Sequence, residues 1–186
     1  MLFRSGDVGI GAVAPIEARH APRVRASGTA LKRSLRRAVL YGASNLPVGI
    51  GIGLHVRFVA IGDYREFPWY AGVAAFVVPA LLWFFLIERG GRFSTARGAA
   101  VGVAGAALAH VVTWYLMFLA ANVEFWILGR QVGSLPIPPA DPIVGSLAGA
   151  AIYGTVSLLA YGWLTMPLGA LIGGAWGMVL GRSADR

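Results

Sequence analysis

The 186-residue chain contains no cysteine. That excludes disulfides, thiolate metal sites and cysteine nucleophiles together. Charge is scarce as well: charged residues are 13% of the chain, about half the share of an ordinary soluble domain. Only 8 residues are acidic and 3 are histidine, so paired carboxylates and histidine clusters have little to draw on. The scarcity is concentrated. From Ile143 to Leu180, 38 residues pass without one Asp, Glu, Lys, Arg or His. A helix of that length would measure about 57 Å, against a bilayer hydrocarbon core of about 30 Å. With 57% hydrophobic residues and mean hydropathy +0.68, the helices lack the polar faces a soluble bundle needs. The composition implies a single all-α polytopic membrane domain with no soluble domain.

Four apolar stretches follow from the pattern. Span 1 is about 38–61, span 2 about 67–87 between Glu66 and Glu88, and span 3 about 98–123, interrupted only by His110. The last stretch is divided at Gly162–Pro167 into 143–163 and 166–180. Thr165 there can cap a new helix with Pro167 in its first turn, giving about five spans. The alternative is four: Pro167 kinks one long helix, Ile143–Thr155 is an interfacial or re-entrant piece, and the fourth crossing is about Val156–Leu180. Residues 1–30 read as a weakly ordered basic tail, 31–182 as the transmembrane domain and 183–186 as a short tail.

Fifteen of the 16 basic residues are arginine, and half of them lie in the first 37 residues. Lys32, Arg33, Arg36 and Arg37 recur on one helical face before span 1, where they can meet anionic lipid headgroups. The loop around Arg89, Arg92 and Arg97 is also basic, while Asp63–Glu66 and Glu124–Pro142 are net negative. The positive-inside rule therefore places the N-terminus and the Glu88–Arg97 loop in the cytoplasm, in a multi-pass plasma-membrane protein. No aromatic residues interleave with the basic tail, so nucleic acid is not an expected partner.

Small residues recur at four-residue spacing: Gly49 and Gly53; Gly98 and Gly102; Gly169, Gly173 and Gly177. Such faces let helix backbones approach closely in lipid. They serve packing within the chain, or docking onto a second copy or another membrane protein. His110 is the one ionisable residue in the middle of a span, where such groups usually face the bundle interior. Thr113 shares its face, and Asn45, two residues before Pro47, is positioned to satisfy backbone that the proline frees. These three form the candidate intramembrane polar site. Arg57 and Glu124 are a candidate ion pair at the outer interface.

Catalytic motifs fail. Gly42-Ala43-Ser44-Asn45-Leu46 begins like a nucleophile elbow and lacks its final glycine. A Ser44–His110 dyad would need the two side chains within hydrogen-bond reach. No HExxH or Walker A occurs, and no cofactor or metal is implied. The leading expectation is a non-enzymatic structural or accessory membrane component that packs through its glycine faces. The other is a small transporter or channel subunit for a small solute, with His110 in its interior.

Overall fold

A computed structural model describes residues 21–60, 64–129 and 142–184. These residues form four helices and no strand: α1 (Ala21–Val59), α2 (Phe67–Trp83), α3 (Thr95–Leu128) and α4 (Pro142–Ala184). Each is long and apolar enough to cross a membrane once α2 is taken with the π-helical turn Phe84–Glu88 that continues it. The chain divides into two compact units, Met1–Arg33 and Ser34–Arg186. In the first unit, Lys32 and Arg33 are exposed. The second holds the bundle.

Local chemistry sets the helix ends. Pro68 sits in the first turn of α2, where its missing N–H costs nothing. Ser94 caps α3, its side-chain oxygen accepting from the Arg97 backbone N–H at 3.3 Å. Gly129 ends α3 in the left-handed region at φ 63°, a conformation that disfavours a β-carbon.

Five spans are not confirmed. The structure has four long apolar helices, and α4 continues without a break through Gly162–Pro167 for 43 residues. Pro167 removes one backbone hydrogen bond, whereas a hairpin in an apolar medium would strand several N–H and C=O groups. Thr165 caps nothing; its hydroxyl donates back to the Tyr161 carbonyl at 3.2 Å. The helices also outrun the apolar stretches, α1 beginning at Ala21 and α3 ending at Leu128. Residues 1–20, 61–63, 130–141 and 185–186 lie outside the described residues.

Consecutive helices pack antiparallel. Gly42, Gly49 and Gly53 of α1 face Phe76, Ala71 and Pro68 of α2 in turn. Gly105 of α3 lies against Pro79 of α2. Along α3 and α4, Gly98 meets Gly173, Gly102 meets Gly169, and Phe118 covers Gly149. Near the far end Asn122 donates to Ser146 Oγ at 2.9 Å, and Ser146 donates to the Pro142 carbonyl. The ring closes where Trp176 of α4 donates its indole N–H to Ser44 Oγ of α1 at 3.1 Å.

Two aromatic clusters fill the ends of the bundle. Tyr41, Trp83 and Trp176 pack at the end that carries Arg37, Glu88 and Phe93. Tyr64, Phe67, Trp114, Phe118 and Tyr153 pack toward the other. Between them, at the level where the four helices face one another, the packing is incomplete.

Candidate functional site

A cavity of about 60 Å³, partly open to the outside of the bundle, lies between the two aromatic clusters. Most of its wall is small and apolar: Gly49, Ala71, Ala75, Pro79, Ala106, Ala109 and Gly169. Five polar side chains interrupt it: Asn45, His110, Thr113, Ser157 and Thr165. All five are buried. The three residues proposed as a polar site, His110, Thr113 and Asn45, therefore line one cavity, from α1 and α3. Ser157 and Thr165 of α4 complete it; in the sequence Thr165 reads as a helix cap and Ser157 is not singled out. Their signal was a spacing of eight residues, which puts both on one helix face two turns apart. Hydroxyls in apolar helices usually bond their own backbone, so the spacing alone looks ordinary.

His110 bridges those two hydroxyls. Its Nδ1 lies 2.8 Å from Ser157 Oγ and its Nε2 lies 2.9 Å from Thr165 Oγ1. Proton accounting assigns the roles. Thr165 spends its single proton on the Tyr161 carbonyl, so it accepts from Nε2–H. Nδ1 is then the acceptor and takes the proton of Ser157, which makes no backbone bond of its own. The imidazole is neutral with both nitrogens satisfied, and it ties α3 to two turns of α4.

Asn45 and Thr113 are less committed. Asn45 Nδ2 donates to the Tyr41 carbonyl at 2.8 Å, which fixes the amide orientation because a carbonyl only accepts. That carbonyl is one that the Asn45 N–H itself serves in an α-helix. The carbonyl freed by Pro47 is that of Ala43, four residues before the proline. The expected compensation of Pro47 by Asn45 is thus not what the side chain does. Thr113 Oγ1 donates to the Ala109 carbonyl at 2.7 Å.

Among the described residues two buried polar atoms lack a hydrogen bond of good geometry: Trp114 Nε1, and Tyr41 Oη, which has the Asn45 side chain beside it. One belongs to each aromatic cluster, and neither residue lines the cavity. Leaving such a group unpaired costs roughly 1–3 kcal/mol, and native proteins usually answer it with water or a ligand.

The other named residues separate. A β-carbon on Gly49, Gly53, Gly98, Gly102, Gly169, Gly173 or Gly177 would overlap backbone or side chain of a neighbouring helix of this same chain. Those faces are occupied internally. Lys32, Arg33 and Arg36 are exposed, but Arg37 turns inward. It lies 3.8 Å from Glu88, whose side chain is 2% exposed, and 5.6 Å from the Phe93 ring centroid. Trp83 Nε1 donates to the second Glu88 oxygen at 3.2 Å. Arg57 lies over Phe58 and makes no ion pair with Glu124. Ser44 bonds Leu40 and Trp176 while both His110 nitrogens are engaged on α4, so no Ser44–His110 dyad forms. Among the described residues no three His, Asp or Glu side chains come together as a metal site would need. No family model, no curated protein and no solved structure matches this chain.

Proposed function

We propose that this is a four-span membrane protein whose His110 cavity accommodates a small polar solute in the middle of the bilayer, as a small transporter or channel subunit. The observation that carries the reading is five buried polar side chains around one cavity, set between two aromatic clusters. Ionisable residues inside spans commonly mark solute or ion paths, and His110 is the one at mid-span here. The aromatic clusters act as closures on either side, in the manner of hydrophobic constrictions. The basic end, with Arg37, Arg89, Arg92, Arg97 and Arg182, faces the cytoplasm, and exposed Lys32, Arg33 and Arg36 meet anionic headgroups. The test is flux of a panel of small solutes into proteoliposomes. Transport that falls in His110→Ala supports the reading; transport unchanged in that variant removes the residue from the path.

An accessory role is the second reading. Glycine faces consumed within the chain do not provide its docking surface. What favours it is apolar exposure spread along the helices, with Phe58 76%, Ile127 74% and Leu159 78% exposed, which lipid or a partner helix can cover. Native mass spectrometry of protein extracted from its host in gentle detergent tests it: a stoichiometric second protein supports the accessory role.

A further inference from the structure

We infer that the solute is an uncharged molecule rich in N–H groups, with up to about four non-hydrogen atoms, of which urea is the working example. The inference rests on the solute-binding reading above and specifies its substrate class. Size gives the first limit. A cavity of about 60 Å³ holds on the order of four waters, at roughly 10–15 Å³ of such volume each. Glycerol is larger than urea and offers hydroxyl groups in place of N–H groups.

Hydrogen-bond accounting gives the second limit. The protons of Thr113, Thr165 and Ser157 go to the Ala109 carbonyl, the Tyr161 carbonyl and His110 Nδ1. The Nε2 proton goes to Thr165. What remains toward the cavity is lone pairs on the three hydroxyl oxygens and on Asn45 Oδ1, against one spare N–H, the second amide hydrogen of Asn45. Pro79 adds to the imbalance. It leaves the Ala75 carbonyl without its helical donor, and both residues line the cavity. A wall of acceptors with one donor suits a ligand with several N–H groups and one acceptor. It rejects carboxylates and other anions, whose oxygens would face lone pairs. The wall carries no charged side chain, so an inorganic cation would meet only neutral oxygens, and the potassium acetate arm below separates that solute from urea.

The experiment is stopped-flow light scattering of proteoliposomes given urea, glycerol or potassium acetate gradients. Wild type, Thr113→Val and Asn45→Leu are compared, each first shown to retain its helix content and melting transition. Urea entry well above that of empty vesicles is expected, with glycerol and potassium acetate at the empty-vesicle rate. Thr113→Val should lower the protein-dependent urea rate about five-fold, the factor for one hydrogen bond of about 1 kcal/mol. Urea flux unchanged in both folded variants would overturn the inference. So would protein-dependent movement of glycerol or potassium acetate without urea, and that outcome leaves the solute-binding reading standing. Absence of flux for every solute would defeat both.

Discussion

Replacing Gly102 by alanine places a methyl group on the carbonyl of Gly169, with the Ala170 nitrogen 3.1 Å away. Every nearby atom is backbone, so no side chain can rotate aside and α3 and α4 must separate. The same helices touch at Gly98 and Gly173, and separation there forfeits those contacts too. Overpacking of this kind costs typically 1–3 kcal/mol. Alanine's higher helix propensity offsets at most about 1 kcal/mol, and less where the unfolded state in detergent stays helical. Gly51, on α1, is the matched control: nothing lies within 4 Å of its added β-carbon. Gly51→Ala should change stability by between zero and about 1 kcal/mol in the favourable direction. The two variants should therefore differ by about 2 kcal/mol, roughly thirty-fold in the folded-to-unfolded ratio. Reversible unfolding in mixed micelles with increasing dodecyl sulfate, followed by the fluorescence of buried Trp83 and Trp114, reads the difference. Equal shifts for the two alanines would refute the close α3–α4 crossing.

Three further outcomes follow from the same geometry. A double-mutant cycle of His110→Leu with Thr165→Val, read by the same unfolding assay, should give a coupling of about 0.6–1.7 kcal/mol; additivity would break the proposed bridge. Arg37→Met leaves the buried Glu88 carboxylate with only the Trp83 N–H, and should cost about 2 kcal/mol, below the full 3–5 because Arg37 is itself 31% exposed. Glu88→Gln should cost less, and the order of the two melting temperatures checks this. Because the chain has no native cysteine, single cysteines at Ser34, Glu66 and Ser183 can be labelled cleanly from either side of vesicles. Four spans predict that Ser34 and Ser183 react from one side and Glu66 from the other; five spans would move Ser183 to the side of Glu66.

The sequence was most informative where one residue type forces one structural consequence. Glycine at four-residue spacing marked the close helix faces, because only a missing β-carbon permits such approach. It did not name partners: that Gly98 meets Gly173 depends on the register of two helices joined by a loop of unrelated residues. His110 stood out because an ionisable group in an apolar run is costly. Its partners did not: Ser157 resembles any hydroxyl that bonds its own backbone, and Thr165 reads as a helix cap. The division at Gly162–Pro167 failed because proline and glycine stop helices in water, where loose backbone groups find solvent. An apolar surrounding removes that option, and a single lost hydrogen bond at Pro167 is the smaller cost. Glu88 looked like a span boundary by its charge. Only the structure turns it inward to Arg37 and Trp83.

The central claim is that a buried site is wet while much of the exposed surface is dry. Hydroxyl-radical footprinting by synchrotron radiolysis of the protein in nanodiscs measures this directly, since radicals form where water resides. The cavity residues His110 and Ile52 are buried or half-buried, while Leu81 and Leu108 are 52% and 46% exposed on faces that would meet lipid. The account predicts faster oxidation of His110 and Ile52 than of Leu81 and Leu108. His110 and Ile52 as unreactive as the two leucines would mean a dry cavity, and would contradict the account.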